Sequence, residues 1–370
     1  MKTLFAALLV VHGLLHLLGT TKAFRIGSVP LRTQQISRPL GIVWLVAAML
    51  FLATAICLIA WPRWWWALGG LALVVSQLVI FTSWADARFG TVANLLALVG
   101  VVMGFLAHGP TSFRAEYDRE VAQAAGRAVA TSILTDADLA ALPPLVQRYI
   151  RLSGAIGQPR VHNFRASFHG QIRSGPAARW MSFTGEQHNF YDESSRLFLM
   201  DATLFGVPVQ AFHRFIGPTA TMRVKIASLV SLVDASGPEM DEGETVTLLN
   251  DLCVMAPGAM IDPRITWRVI DAQTVGASFT NARYTIHATL AFNERGELTN
   301  FVADGRAAAS ADGKSFTRMP WSTPLSQYRA FGSRRLMSHG EGIWHAPAGD
   351  YAYLRYDLDA IEYNVAARAQ

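Results

Sequence analysis

The sequence predicts an α+β protein in which an N-terminal four-helix transmembrane bundle precedes a curved antiparallel β-sheet domain with a covering helix. Three observations predict this class. The first 108 residues contain four long stretches almost free of charged side chains. From about residue 160 onward, apolar and polar residues alternate, as is typical of half-buried antiparallel strands. One helical stretch interrupts the strands, and no regular alternation of strand and helix indicates a parallel sheet.

The four apolar stretches each have about the length of a membrane-spanning helix. Hydrocarbon offers no partners to backbone N–H and C=O groups, so runs of about 18–20 apolar residues form helices there. We therefore predict a transmembrane domain over residues 1–108. Its spans are Thr3–Gly19, Gly41–Trp61, Trp64–Trp84 and Thr91–His108.

A polar, alanine-rich segment follows the last span. We expect residues 109–134 to form a helical stalk and residues 135–370 to form the soluble domain. The pattern Thr135-x-x-Asp138 is typical of a helix N-terminus. The next predicted helix has an apolar stripe, which is formed by Leu145, Tyr149 and Leu152.

Alternating apolar residues predict about ten strands in the soluble domain. The stretch Pro238–Met255 has a helical period instead, with Val246, Leu249, Leu252 and Cys253 on one stripe. We expect this helix to cover one face of the sheet. The predicted strands are Val161–Arg173, Arg179–Thr184, Arg196–Thr203, Gly206–Phe215, Ala220–Leu229, Thr266–Ile270, Val275–Thr280, Arg283–Phe292, Leu298–Ala303, Arg335–Trp344 and Tyr351–Tyr363.

The excess of positive charge belongs to the membrane-flanking segments. Residues 1–108 contain seven basic side chains and one acidic side chain, whereas the rest of the chain contains 25 basic and 26 acidic ones. A nucleic-acid-binding protein needs basic residues massed on its soluble part. We therefore expect no nucleic acid among the partners.

The basic residues are densest in the first connector, at Lys22, Arg25, Arg32 and Arg38. Since short connectors rich in Lys and Arg stay in the cytoplasm, this cluster predicts that the N-terminus lies outside. With four spans, the soluble domain then also lies outside the cytoplasm. We expect a multi-pass protein of the inner (cell) membrane.

The sequence contains no pattern for a cofactor or a metal. Cys57 lies in the second apolar stretch and Cys253 in the soluble domain, so the two form neither a disulfide framework nor a CxxC site. The GxSxG, HExxH, P-loop and GxGxxG patterns are also missing from the sequence. We expect no cofactor and no metal, and a non-enzymatic function is favoured.

Four ionisable residues lie within or beside the apolar stretches. His12 and His16 are one turn apart on one face of the first predicted helix, and Asp86 and Arg88 occupy the third connector. Ionisable residues at membrane depth are rare and often functional. The histidines either hold a metal or haem, or are neutral and bond to neighbouring helices. The Asp86–Arg88 pair either fixes a turn or belongs to a relay.

Four carboxylates cluster at the start of the long helix of the soluble domain, at Glu239, Asp241, Glu242 and Glu244. Oxygen ligands in such numbers are candidates for binding Ca²⁺. Acids at a helix N-terminus also stabilise the helix dipole without a metal. A third interpretation pairs Glu242 and Glu244 with Asp234 or Asp251 for hydrolysis.

Aromatic side chains recur at alternating positions in the predicted strands and between them. Phe164, Phe168, Phe183, Trp267 and Trp321 are our candidates for ligand binding. In a sheet covered by a helix, such residues form either an ordinary core or, where the sheet curves strongly, the lining of a lipid-sized apolar pocket.

The segments His12–Gly19, Trp84–Thr91 and Asp234–Met240 resemble an uncharacterised bacterial family of integral membrane proteins with a C-terminal domain of unknown function. The soluble part is similar, at the level of the fold, to half-barrels of the lipoprotein-carrier type. The resemblance implies a curved antiparallel sheet with a helical lid over an apolar cavity. It brings no activity with it, because a fold alone does not assign a function.

These observations favour a membrane-tethered module that binds a hydrophobic or amphiphilic ligand, either membrane lipid or a lipidated partner. Removal of apolar surface from water would drive the binding. The alternative is a structural or regulatory module that docks another protein of the cell envelope. A third hypothesis is a hydrolase that acts on envelope substrates.

Overall fold

The computed structural model describes residues 2–26, 34–126, 132–310 and 312–366. The chain divides into two compact units, Met1–Glu116 and Tyr117–Gln370. The predicted stalk, residues 109–134, spans this division, and its residues 127–131 lie outside the described part of the chain, as does Arg32 of the first connector. The predicted domain limits therefore remain predictions.

The first unit is built from helices α1 to α5. Their bounds are Lys2–Phe24, Arg38–Ala60, Trp65–Thr82, Trp84–Ala87 and Gly90–His108. Helices α1, α2, α3 and the helical stretch from Gly90 are long and apolar enough to cross a membrane, which confirms the four predicted apolar helices. Helix α1 packs on α2 and α5, and α3 packs on the same two helices. A Cβ added at Gly19 would lie 2.2 Å from the Trp44 ring, so glycine allows this close packing.

Two short helices follow α6 (Phe113–Ala125). A 3₁₀ helix covers Asp136–Leu139, and the predicted cap is present, because Thr135 and Asp138 bond reciprocally. Helix α7 (Pro144–Leu152) begins at the second residue of a proline pair, and it buries Val146, Tyr149 and Ile150. The apolar stripe is therefore shifted from the predicted one, and only Tyr149 is common to both.

The second unit contains one antiparallel sheet of 13 strands, curled into a half-barrel, and a separate two-stranded sheet. Strands β1 to β6 form a meander, and so do β7 to β11, before β14 and β15 return to the centre. The strands are β1 (Asn163–Ile172), β2 (Met181–Phe190), β3 (Ser195–Leu204), β4 (Val207–Ile216), β5 (Thr219–Ile226), β6 (Val230–Ser236), β7 (Ile265–Val269), β8 (Thr274–Asn281), β9 (Tyr284–Phe292), β10 (Leu298–Ala309), β11 (Phe316–Ser326), β12 (Arg329–Phe331), β13 (Arg334–Leu336), β14 (His339–Ala346) and β15 (Gly349–Tyr363).

Strands β1 and β15, which are the first and last in sequence, pair with each other, and Phe168 lies opposite Leu358. This pairing leaves β6 and β7 as the two edges. Helix α8 (Pro238–Met255) joins these edges in sequence and packs on β5, β6, β9 and β10. The helix therefore runs across the inner face of the curled sheet.

Helix α8 is buried almost all round, and every residue from Gly243 to Met255 is buried. The sequence predicted one apolar stripe, which is the pattern of a helix lying on a surface. The curled sheet instead encloses the helix, so the polar residues Glu244, Asn250 and Asp251 are buried as well. Buried polar groups require partners, and the sheet supplies them.

Candidate functional site

A cavity of about 120 Å³ lies between α8 and the inner face of the sheet. Its walls come from both halves of the sheet and from the helix. The lining residues are Phe168, Ile172, Phe183, Gln187, Arg196, Phe198, Met200, His213, Glu244, Thr247, Asn250, Asp251, Met255, Arg306, Trp321, Thr323, Glu341, Gly342, Tyr353, Leu354 and Tyr356.

One wall of the cavity is aromatic. The ring centroid of Phe168 lies 6.4 Å from that of Phe198 and 5.7 Å from that of Tyr356, both edge-on. Two glycines on the same face make room for the rings. A Cβ at Gly170 would lie 2.9 Å from the Phe183 ring, and one at Gly185 would lie 2.7 Å from the Phe198 ring. Because side chains alternate along a strand, glycine at these positions opens the inner face.

The opposite wall is charged and is organised around Arg196. Its Nε donates to Asp251 Oδ2 at 2.7 Å, and its Nη1 donates to Glu244 Oε2 at 3.0 Å. The amides of Gln187 and Asn189 donate to the same Asp251 oxygen at 2.7 and 3.1 Å. One guanidinium from β3 thus bonds to two carboxyl groups of α8.

A second arginine reaches Glu244 from the other half of the sheet. Arg306 Nη2 lies 3.5 Å from Glu244 Oε1 and donates to Thr247 Oγ1 at 2.9 Å. Its guanidinium carbon lies 4.7 Å from the centroid of the Trp321 ring, which is the geometry of a cation–π contact. His213 Nδ1 completes the cluster at 3.6 Å from Glu244 Oε1.

The two carboxyl groups are shifted in opposite directions by this environment. Burial favours the neutral form of Glu244, but Arg196, His213 and Arg306 outweigh it and lower the pKa of the carboxyl to about 2. Burial raises the pKa of Asp251, helped by the negative charge of Glu244 and opposed by Arg196 and Asn189. Glu244 is therefore the permanent anion of the cluster.

Trp321 Nε1, at the cavity, is buried without a hydrogen-bond partner among the described residues. Trp321 is 4% exposed, and an indole N–H can only donate. A buried donor without an acceptor is unfavourable, so an acceptor oxygen in the cavity would satisfy it.

The five predicted aromatic residues occupy different places. Phe168, Phe183 and Trp321 line the cavity. Phe164 is fully buried in the core of the β domain, and Trp267 is half-buried on β7 against the same core. Neither of these two residues lines the cavity.

The four predicted acidic residues do not converge. Asp241 accepts from the Ala220 backbone N–H at 2.7 Å, and Glu242 pairs with Arg318 at 2.8 Å. Glu244 points into the cavity, and Glu239 is exposed. Among the described residues, no group of three or more His, Cys, Asp or Glu side chains is arranged to hold a metal ion.

Three of the four predicted ionisable residues of the first unit line a different cavity. His12 and His16 are buried on α1 and line a cavity of about 150 Å³ together with Asp86. Asp86 accepts from the Gln34 backbone N–H at 3.0 Å. Arg88 lies over the Phe89 ring at 5.1 Å, and no ion pair joins it to Asp86 among the described residues.

Sequence reasoning did not select Arg196, Arg306 or His213, and it considered Asp251 only as a partner acid. One signal was present for two polar residues of the cluster. Gln187 is separated from Phe183, and Arg196 from Phe198, by an even number of positions on the same strand. Residues spaced in this way share one face of a strand, so Gln187 and Arg196 fall on the inner face with the two phenylalanines. Which carboxylates they meet depends on where α8 crosses the sheet, and that was not readable from the sequence.

Comparisons with known proteins confirm the resemblance to a family without a known function. Residues 132–356 match the model of a family of unknown function (DUF6544). No curated protein matches the chain.

Similar solved structures are distant. One is a putative outer membrane lipoprotein-sorting protein domain from Vibrio parahaemolyticus (8% identity, TM-score 0.32, covering 54% of this chain and 85% of that one). Another is a LolA superfamily protein from Nitrosomonas europaea (8% identity, TM-score 0.32, covering 59% of this chain and 91% of that one). A third is a DUF1329 family protein from Desulfovibrio piger (12% identity, TM-score 0.34, covering 60% of this chain and 91% of that one). Likenesses this distant carry no functional inference.

Proposed function

The chain belongs to the DUF6544 family, whose function is unknown, and we propose that its β domain binds one end of an amphiphilic molecule in the cavity under α8. The observation that supports this function is the division of the cavity wall. An aromatic side around Phe168 and Phe183 faces a charged side around Arg196 and Arg306. A ligand that matches both sides carries a polar group next to an apolar chain.

The size of the cavity sets how much of the ligand enters. A cavity of about 120 Å³ is slightly smaller than the engineered cavity of about 150 Å³ that admits benzene, and well below the roughly 300 Å³ of a typical ligand pocket. A whole lipid does not fit while α8 stays in place. We therefore propose that the polar end enters with the first part of its chain, and that the rest stays outside.

The polar end would be an acceptor of hydrogen bonds. Trp321 Nε1 has no acceptor among the described residues, and Arg306 stacks on the same ring at 4.7 Å. A carboxylate, phosphate or ester oxygen at this point would accept from both side chains. The adjoining carbon atoms would contact the aromatic side, where burial contributes about 25 cal/mol per Å² of apolar surface.

The four apolar helices would hold this binding domain at a bilayer. Tethering raises the local concentration of a membrane-derived ligand and so favours even a weak site. We assign the protein to the inner membrane with the β domain outside the cytoplasm. A reporter enzyme that is active only outside the cytoplasm, fused after Gln370, should be active. An inactive reporter on a folded protein would reverse the assigned side.

Binding can be tested with the full chain in lipid nanodiscs and with dodecanoate as the probe. Dodecanoate should bind, and Arg306→Gln should weaken its binding about tenfold or more, because a hydrogen bond to a charged group contributes roughly 1.5–3 kcal/mol. Met200→Trp, which fills the aromatic side, should also weaken binding. Phe164→Leu is the matched control, since Phe164 is buried but does not line the cavity, and it should leave binding unchanged.

Native mass spectrometry of the purified full chain supplies an independent measurement. We expect an amphiphile to be retained by the wild type and lost from Met200→Trp. Equal retention by the two proteins, or dodecanoate binding that ignores all three substitutions, would refute a site in this cavity.

A further inference from the structure

The helical unit contains a buried polar cluster that ligand binding in the β domain does not use. His12 Nε2 lies 2.8 Å from Asn94 Oδ1, and His16 Nε2 lies 2.9 Å from Ser76 Oγ. Ser76 Oγ lies 3.0 Å from Asn94 Oδ1 and closes the chain between the two histidines. His16 Nδ1 lies 2.8 Å from the His12 carbonyl oxygen. A carbonyl only accepts, so His16 Nδ1 carries a proton.

The protons in this series of hydrogen bonds can be counted. With Asn94 Oδ1 turned toward the cluster, His12 Nε2 and the Ser76 hydroxyl both donate to it. Ser76 has one proton, so none remains for the bond with His16. His16 Nε2 must then be the donor, and since Nδ1 also donates, the ring of His16 is the cation.

A second arrangement satisfies the same contacts with one proton fewer. Asn94 donates to Gln77 Oε1 at 2.9 Å, and Gln77 donates to Thr91 Oγ1 at 3.1 Å. If both amides rotate by half a turn, all of these bonds reverse. Asn94 Nδ2 then donates to His12 and Ser76, and the hydroxyl of Ser76 donates to a neutral His16. The cluster therefore accommodates two protonation states without losing a hydrogen bond.

A cavity of about 150 Å³ gives the cluster access to water. Both histidines line this cavity, together with Trp44, Asp86 and Phe89. His12 is 4% exposed, and its Nδ1 has no hydrogen-bond partner among the described residues. This nitrogen is an acceptor in the first arrangement and a donor in the second. A cavity of this size with polar groups on its wall admits water.

We propose that the helical unit contains a reversible proton-binding site in which His16 takes up one proton from water in this cavity. The proton adds to Nε2 of His16, the two amides rotate, and His12 exchanges its ring proton from Nδ1 to Nε2 through the same water. The net change is one proton gained and one positive charge on His16. Ionisable groups among apolar helices commonly have this kind of role.

Among the described groups around His16, the ring of His12 lies 4.7 Å away between centroids and is neutral in both arrangements, and Asp86 carries the negative charge. Helix α2 places the rings of Trp44 and Phe51 against the histidine, and α3 and α5 contribute Ser76 and Asn94. None of these four side chains titrates near neutral pH. Asp86 from α4 is the charged residue among the described lining of the cavity. Its carboxylate stabilises the cationic state across the cavity.

The full chain with ¹⁵N-labelled histidine, in lipid nanodiscs, tests this proposal by NMR of the ring nitrogens between about pH 5 and 8. The chain has ten histidines, and His16 is assigned by the signal lost in His16→Gln. We expect its Nε2 to move from the neutral to the cationic range as the pH falls. A ring that stays neutral, or cationic, throughout would overturn the proposal.

Two further variants guard against misfolding and misassignment. Ser76→Ala keeps both rings and removes one hydroxyl, so it should change the His16 signal while the protein remains folded. His169→Gln removes an exposed histidine of the β domain that pairs with Asp359, and it should leave the His16 titration unchanged. A His16 signal insensitive to Ser76→Ala would also contradict the proton count.

Discussion

At the scale of single residues, Arg196 determines whether the inner face of the β domain is stable. Its guanidinium is 8% exposed and pairs with Glu244 and Asp251, which are 1% and 5% exposed. Removing one partner of a buried ion pair leaves an uncompensated charge, which is far less favourable than replacing every partner by an apolar residue.

Arg196→Met should therefore lower the free energy of unfolding by about 3–5 kcal/mol. The triple variant Arg196→Met, Glu244→Met, Asp251→Met should recover part of that loss, because the two carboxylates left without Arg196 are removed with it, whereas Arg306 loses its ion pair with Glu244 and keeps its bond to Thr247. Urea unfolding of the full chain in detergent, followed by circular dichroism, measures both. Arg165→Met is the control. Arg165 pairs with Glu186 in a partly exposed position, so about 0–1 kcal/mol is expected. Equal losses for the two arginines would contradict this account.

Glu244 also predicts how stability depends on pH. Its pKa is lowered from 4.5 to about 2 in the folded chain, so the folded state binds the proton less readily than the unfolded state. The stabilisation is complete above about pH 4.5 and is lost as the pH falls toward 2. The raised pKa of Asp251 acts in the opposite direction and reduces the net slope.

We expect the thermal midpoint of the wild type to fall through this acid window, and Glu244→Gln to show a shallower fall. Parallel profiles for the wild type and Glu244→Gln would show that the carboxyl has no part in the acid transition.

At the scale of elements, α8 and the curled sheet depend on each other. The helix connects the two edge strands β6 and β7 and lies inside the half-barrel. A helix enclosed in this way cannot solvate its buried acidic residues, so Glu244 and Asp251 are matched by basic residues of β3 and β10. Its apolar residues, such as Leu248, Leu249 and Leu252, are fully buried.

Leu249→Ala should reduce the free energy of unfolding by about 2–5 kcal/mol, because the enclosed site cannot collapse around the space left behind. Leu229→Ala is the matched control, since Leu229 is 65% exposed and should change stability by no more than about 0.5 kcal/mol. Denaturant titration of both variants compares them directly. A loss below about 1 kcal/mol for Leu249→Ala would indicate that α8 is loosely packed.

At the scale of the whole molecule, the two units are completed by different kinds of contact. The helices of the first unit contact each other in a ring, whereas the sheet of the second is completed by β15, which pairs with β1 across almost 200 residues of sequence. Contacts so distant in sequence slow folding, because the loop between them must be ordered first.

The first unit should keep the full chain in the membrane. Many of its large apolar side chains are exposed, among them Ile59 at 71% and Phe89 at 76%, and such surfaces are compatible with hydrocarbon and not with water. Washing membranes with alkaline carbonate should therefore leave the protein in the pellet. Its release into the supernatant would refute membrane insertion.

The helices and most strands were predictable because their residues carry a local signal. Charge-free runs predicted α1, α2, α3 and α5, and alternation predicted most of the strands, including β1, β3 and β4. The missed strands have a physical reason. Strand β11 contains Pro320 and Pro324, which cannot donate to a sheet ladder and usually exclude a strand. In strand β6 the apolar residues change phase between Leu232 and Val233, where the pairing with β5 shifts register, so the alternation is interrupted.

The candidate site was predictable only on its aromatic side. Phe168 and Phe183 carry a signal in their alternation, and the structure brings them to the cavity with Trp321. The charged side was missed because Arg196 and Arg306 look like surface residues when read singly. Their burial follows from the enclosure of α8, which is a property of the assembled sheet. Of the two alternatives for these aromatic residues, an ordinary core or a lipid-sized apolar pocket, the structure gives neither alone, because Phe164 is buried in the core while Phe168, Phe183 and Trp321 line a smaller and partly polar cavity.

The sequence by itself determined the division into apolar helices and an alternating antiparallel sheet, because both patterns arise between neighbouring residues. Only the tertiary structure decided that α8 lies within the half-barrel, and that its carboxylates meet arginines from two distant strands. The physical reason is that charge pairing inside the fold depends on which strands curl together. The local sequence of a strand contains no pattern that predicts which distant strand or helix it will contact.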